Sequence, residues 1–202
     1  MSGDESTIVW LIRHGSTDGG AGRCCGRYDV PLSQDGIKQA NAIAMRLATE
    51  PISHVYSSHL IRAFHTARIV AEPHGLPVQI MNDLAEMNFG ELEGLTSEEI
   101  QARYPDIFRS WMTTPTATSF PNGETFGDMT ARVVGALDSL LSRHSKQTIV
   151  IVTHAGVIRL LLAKALGMPD DQIFRLVQDY GAINRIRYFL DGPVVELMNG
   201  SL

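Results

Sequence analysis

Two short runs, Thr7 to Ile12 and Thr148 to Thr153, are rich in β-branched residues and almost continuously apolar. That is the pattern of strands covered by helices on both faces, and it belongs to the middle of a parallel sheet. A chain carrying two such runs is expected to alternate strands with helices. Weaker strand candidates are His54 to Ser57, Val78 to Met81, Ile183 to Phe189 and Val194 to Met198. The last two flank Asp191-Gly192, a hairpin turn signal, and are expected to form an edge hairpin.

Between these runs, apolar residues recur at helical spacing. Ile37, Ala40, Ala44, Leu47 and Ala48 form one stripe, and Leu60, Ala63, Ala67, Val70 and Ala71 a second, with Ser33 and Ser58 as candidate N-caps. Phe126, Met129, Val133, Leu137, Leu140 and Leu141 share a face of a longer helix; Val157, Ile158, Leu161, Leu162 and Ala165 do so after the second buried strand. Thr96 to Glu99 reads as a capping box. The expected fold is α/β, a three-layer α/β/α sandwich around a mostly parallel sheet. At 202 residues the chain is expected to be one domain, residues 1–202. Within it, residues 96–125 read as a cap-like insertion, because Tyr104, Phe108, Trp111 and Phe120 stand beside the polar, Pro-containing run Thr113 to Asn122. The alternative is that these aromatics pin an irregular connection to the core.

A net charge of −5 and the absence of any Lys/Arg run argue against nucleic-acid binding. The only cysteines, Cys24 and Cys25, are adjacent and too close for an unstrained disulfide. Asp4 and Glu5 stand where a signal peptide would be basic, and the apolar run Ile8 to Ile12 is far too short to span a membrane. The expected compartment is a reducing cytoplasm, with no membrane association.

Both buried runs end in a histidine: Arg13-His14-Gly15 after the first, His154-Ala155-Gly156 after the second. In open α/β sheets ligands bind beyond the carboxyl ends of the strands, which brings His14 and His154 to one crevice. Metal binding is the rival reading, but no His-x-x-x-His or Cys-x-x-Cys spacing supports it, and no metal is expected. Ser57 to Ala67 joins another strand to a helix and sets Arg62 within reach of the crevice, while Arg68 on the same helix reads as solvated. Leu84 to Gly94 holds Glu86, Glu91, Glu93 and two glycines, too many acids and glycines for a plain helix, and reads as a site loop.

With these four segments in this order, the chain resembles the histidine phosphatase superfamily, which includes cofactor-dependent phosphoglycerate mutases, fructose-bisphosphatase domains and α-ribazole phosphatase. Arg13-His14-Gly15 matches the signature around the phosphorylated histidine, and Ser57 to Ala67 the segment bearing a second phosphate-pocket arginine, Arg62. Glu86, in Glu-x-x-Phe-Gly-x-x-Glu-Gly, matches the proton donor, and His154 the second pocket histidine. The resemblance implies a phosphoglycerate mutase-like fold and a phosphohistidine on His14. Arg13, Arg62 and a protonated His154 would then hold the phosphoryl group without metal or cofactor, and Glu86 would act first as acid and then as base on water.

The resemblance also implies substrate contacts at Thr17, Arg23, Gly26 and Glu124, with Cys25 in the same loop and Ala155 beside His154. The Asn usually found soon after Arg-His-Gly is missing from Ser16 to Gly22. The compact chain and Phe89-Gly90 look more like the α-ribazole phosphatase and broad-specificity branch. The expected function is therefore hydrolysis of a small phosphorylated metabolite, with α-ribazole 5′-phosphate the leading candidate. A phosphoglycerate mutase is the alternative within the family, and a non-catalytic domain binding a phospholigand or a protein is the alternative outside it. A homodimer is compatible with the sequence.

Overall fold

The computed structural model describes residues 6–20 and 22–201, so Asp4 and Glu5 lie outside the described residues. Six strands form one sheet: β1 (Thr7–Arg13), β2 (Ile52–Ser57), β3 (Val78–Ile80), β4 (Thr148–Thr153), β5 (Ile183–Phe189) and β6 (Gly192–Gly200). Their order across the sheet is β3-β2-β4-β1-β5-β6. The four strands from β3 to β1 are parallel, while β5 and β6 run antiparallel as an edge hairpin. The helices are α1 (Gln34–Leu47), α2 (Ile61–Ala71), α3 (Ser97–Arg103), α4 (Pro105–Thr113), α5 (Phe126–Arg143) and α6 (Ala155–Leu166).

Every residue of β4 is buried, and strand alternation divides its side chains between two cores. Val9 and Leu11 of β1 and Ile149 and Ile151 of β4 face one layer with Met129, Val133 and Leu140 of α5 and Val157 and Leu161 of α6. Trp10, Ile12, Val150 and Val152 face the other, with Ile43 and Leu47 of α1 and Ala63, Ala67 and Val70 of α2. The result is an α/β/α sandwich.

Local signals set most helix boundaries. Ser33 Oγ caps α1 by accepting the Gly36 N–H at 3.0 Å, and Thr96 with Glu99 forms a reciprocal capping box on α3. Two expectations fail. Ser58 is not the cap of α2, whose N-cap is Leu60; Ser58 is buried, and its hydroxyl is taken by His154 instead. Ala48 lies past the end of α1 and is exposed, so the buried stripe of that helix runs through Ile43.

The segment with weak periodicity is also more regular than the sequence suggests. Pro105 opens α4, and Trp111 on this helix packs against Phe89 and Phe120, with ring centres 5.0 and 5.3 Å away. Tyr104, Phe108 and Trp111 are half-buried against the core and Phe120 is buried.

The turn leaving β1 lies directly on the first turn of α1. A Cβ on Gly36 would collide with the Ser16 carbonyl oxygen, and one on Gly15 with the Gly36 carbonyl. Both obstacles are backbone, so nothing flexible can yield. Gly36→Ala is expected to lose about 1–3 kcal/mol of stability. A urea unfolding midpoint indistinguishable from that of the parent chain would show that the contact is not tight.

Candidate active site

The parallel register pairs Arg13 of β1 with Thr153 of β4, so the next residue of each strand, His14 and His154, emerges side by side. The His14 N–H continues the ladder by donating to the Thr153 carbonyl at 3.0 Å, and the two imidazole centres lie 5.2 Å apart. They form the floor of a polar crevice of about 190 Å³ walled by Arg13, Arg62, Glu86 and Tyr180.

His14 is buried, and its Nδ1 lies 2.7 Å from the Gly15 carbonyl oxygen. A carbonyl only accepts, so Nδ1 carries the proton and the lone pair is left on Nε2. Burial, then the positive charges of Arg62 and Arg13, hold the His14 pKa well below the ordinary histidine range. The imidazole is neutral at pH 7.

His154 is equally enclosed, with Nε2 2.7 Å from Ser58 Oγ. Burial, followed by Arg62, His14 and Arg13, also holds its pKa well below the usual range. Burial and the neighbouring cations thus favour the neutral imidazole, so the protonated His154 expected beside a phosphoryl group would depend on the charge of that group.

Arg62, in the first turn of α2, is 1 % exposed. Its guanidinium donates to the carbonyls of Gly26 at 2.7 Å and Tyr28 at 3.1 Å, and Asp29 lies 3.7 Å away. Thr66, one turn on, donates to the Arg62 carbonyl and accepts the Gly15 N–H, tying α2 to the His14 turn. Arg13 donates to the Gln178 carbonyl at 2.6 Å, and its guanidinium lies 3.8 Å from the centre of the Tyr180 ring.

Glu86 approaches from the loop after β3. One of its oxygens accepts the Met87 N–H and the other the Gly156 N–H at the start of α6, each at 2.9 Å. A Cβ on Gly156 would meet the Glu86 carboxylate and push it from this position. Arg132 of α5 holds the loop by donating to the carbonyls of Asp83, Ala85 and Glu86.

Of the other sequence candidates, Thr17, Arg23, Cys25 and Ala155 line the crevice. Gly26 and Glu124 do not. The Gly26 carbonyl braces Arg62, and a side chain at Gly26 would collide with the Met87 carbonyl. Glu124 pairs with Arg132 and accepts the Asn88 N–H, so it supports the acid loop from behind. Arg68 is exposed. Both cysteines are free thiols; Cys24 is buried in the core, where burial pushes its thiol up, and Cys25 faces the crevice.

Sequence reasoning missed Tyr180, Ser58 as a histidine partner, Arg132, and Glu93, whose carboxylate accepts the N–H groups of Gly26, Arg27, Tyr28 and Phe89. Tyr180 had only a faint signal, an aromatic residue in the turn Asp179-Tyr180-Gly181. Among the described residues, no three His, Cys, Asp or Glu side chains gather where they would hold a metal ion, and no helix is long and apolar enough to cross a membrane.

A neutral imidazole with its lone pair free, one buried and one half-buried guanidinium and a nearby carboxylate suit transfer of an anionic group whose leaving atom needs a proton. Residues 9–201 match the family model of the histidine phosphatase superfamily (branch 1). The chain is 35% identical over 159 residues to phosphoserine phosphatase 1 of Hydrogenobacter thermophilus, covering 78% of this chain and 75% of that one. It is 34% identical over 179 residues to the adenosylcobalamin/α-ribazole phosphatase of Salmonella typhimurium, covering 88% and 89%. Its fold superposes on the crystal structure of the α-ribazole phosphatase from Shigella flexneri with a TM-score of 0.89 at 32% identity, over 96% of each chain.

The depressed histidines make stability depend on pH. Below about pH 6.5 the unfolded chain takes up protons that His14 and His154 refuse while folded, so stability falls as pH drops from there toward their folded pKa values. Each histidine contributes a slope of at most about 1.4 kcal/mol per pH unit. Urea titrations between pH 7 and 5 on the parent and on His14→Ala should show a shallower slope in the variant; equal slopes would mean that His14 is not held neutral.

Proposed function

The chain belongs to the histidine phosphatase superfamily, and we propose that this phosphatase hydrolyses phosphomonoesters without a metal, through a phosphohistidine on His14. The observation that carries this reading is the Nδ1 contact of His14 with the Gly15 carbonyl, 2.7 Å long and inside a crevice that keeps the ring uncharged.

In the first half-reaction, His14 Nε2 attacks phosphorus as the bond from phosphorus to the ester oxygen breaks, and Glu86 gives that oxygen a proton. In the second, Glu86 takes a proton from water, whose oxygen attacks phosphorus; the N–P bond breaks, its electron pair returns to Nε2, and inorganic phosphate leaves. Arg13 and Arg62 offset the charge on the phosphoryl oxygens throughout. A bound dianion beside His154 favours the protonated imidazole, which then becomes a further donor. Thr17, Arg23, Cys25 and Ala155 face the substrate, while Gly26 and Glu124 act as positioning residues for Arg62 and the Glu86 loop.

The substrate in this reading is a small phosphorylated metabolite. α-Ribazole 5′-phosphate is the leading candidate, supported by the likeness to the Salmonella and Shigella phosphatases. Residues 1–202 act as one domain, in which residues 96–125 cap the leaving-group side.

Phosphate release should be measured from α-ribazole 5′-phosphate, phosphoserine and p-nitrophenyl phosphate. His14→Ala is expected to lower turnover by about 10³-fold or more, and chelator to leave the parent unaffected. Glu86→Gln is expected to cost about 10²–10⁴-fold on the alkyl esters and less on p-nitrophenyl phosphate, whose leaving group departs without a proton. Activity that survives in His14→Ala, or that chelator abolishes and metal restores, would overturn the mechanism.

A further inference from the structure

A second cavity, also of about 190 Å³, opens on the other side of Glu86. Glu86 is the one side chain common to the walls of both cavities. The new wall comes from four parts of the chain: Phe89 in the acid loop, Trp111 of α4, Phe126 and Met129 in the first turn of α5, and Phe174 in the turn after α6. Phe174 is 49% exposed, and Trp111 is held in place by its ring contacts with Phe89 and Phe120. Apolar surface is thus presented to solvent directly beside the residue placed to protonate a leaving oxygen.

We infer that this cavity receives the alcohol portion of the substrate and selects an alcohol carrying an uncharged ring. The inference rests on the phosphohistidine reading above, because only an ester whose phosphorus lies over His14 passes its leaving group across Glu86. Size fits a ring: benzene occupies an engineered apolar cavity of about 150 Å³. Charge works against an ammonium-bearing alcohol. The only ionisable side chains on the wall are Glu86 and Arg159, and Arg159, whose Nε–H donates to the Leu176 carbonyl at 2.8 Å, keeps a positive charge there. An ammonium group would meet that cation and the aromatic rings, with Glu86, the proton donor of this reading, as its one acidic partner on the wall. The Arg159 guanidinium lies 5.7 Å from the centre of the Phe174 ring and marks the rim of the ring site.

Benzyl phosphate and ethyl phosphate leave as similar alkyl alcohols and differ in the ring, so their kcat/KM ratio reads the cavity separately from the chemistry. The ratio is expected to favour benzyl phosphate by about tenfold to a hundredfold, with O-phosphoserine no better than ethyl phosphate. Phe174→Ala and Trp111→Ala should each lower the ratio about threefold to tenfold; Phe174 is half out of the fold, so its removal keeps the test valid should Trp111→Ala fail to fold. A ratio near one, a preference for O-phosphoserine, or a high ratio unchanged in Phe174→Ala would overturn the inference and leave the phosphohistidine reading standing. Hydrolysis of none of these esters, nor of p-nitrophenyl phosphate, above the level of His14→Ala would overturn both.

Discussion

Arg62 is a cation kept out of water, with carbonyl oxygens for close partners and its nearest carboxylate, Asp29, half-exposed at 3.7 Å. Burial of a guanidinium on such terms is unfavourable unless an anion completes the site. Arg13 repeats the arrangement with one carbonyl and an aromatic face. The two charges have a double effect. In the proposed reaction they would attract the phosphoryl group, and they act with burial to keep His14 and His154 unprotonated, which is what a nucleophilic imidazole requires. On that reading a single electrostatic cause selects the ligand and keeps the nucleophile uncharged.

The backbone around this charge is built to hold it. Parallel pairing of β1 with β4 sets the spacing of the two histidines, and a slip of one residue would turn either away from the crevice. Arg62 cannot retract, because the Glu93 carboxylate gathers the N–H groups of Gly26, Arg27 and Tyr28 and so fixes the carbonyls that Arg62 grips. Glu124 and Arg132 do the same for the loop that carries Glu86. Glu124, expected from sequence as a substrate contact, and Glu93, in the segment read as a site loop, are braces.

Strands β1 and β4 were legible because a strand buried on both faces must be apolar throughout, and the helices flanking them because one face of each is buried. His14, Arg62 and His154 were legible because each follows a strand end or opens a helix, and Glu86 because its segment holds too many acids and glycines for a plain helix. What escaped was set by tertiary contact. Ser58 stands three residues before α2 and reads as a cap, yet the proximity of His154, 96 positions away, decides its hydrogen bond. Tyr180 and Arg132 reach the site from turns and helix faces whose sequence does not differ from ordinary surface. Helix α4 was obscured because it is nine residues long and none of them is fully buried, so its aromatics read equally well as anchors of an irregular connection.

Glu86 standing between a polar and an apolar cavity bears on how one carboxyl can serve both halves of the reaction. In the proposed reaction, an alcohol on the apolar side would exclude water from the line of attack opposite His14, so that the phosphoryl group would pass only to nitrogen. Departure of the alcohol opens that line, and water entering there meets the carboxylate that has just given up its proton. For a mutase the incoming group would be a second hydroxyl of a charged glycerate, held in the same place long enough to attack. Phe89, Trp111, Phe126 and Met129 offer such an anion no hydrogen bond, which leaves Arg159 at the rim as its one cation on that wall. In the proposed reaction the apolar side would therefore favour release of the first alcohol and its replacement by water, so that the surface choosing the substrate would also direct the intermediate toward hydrolysis.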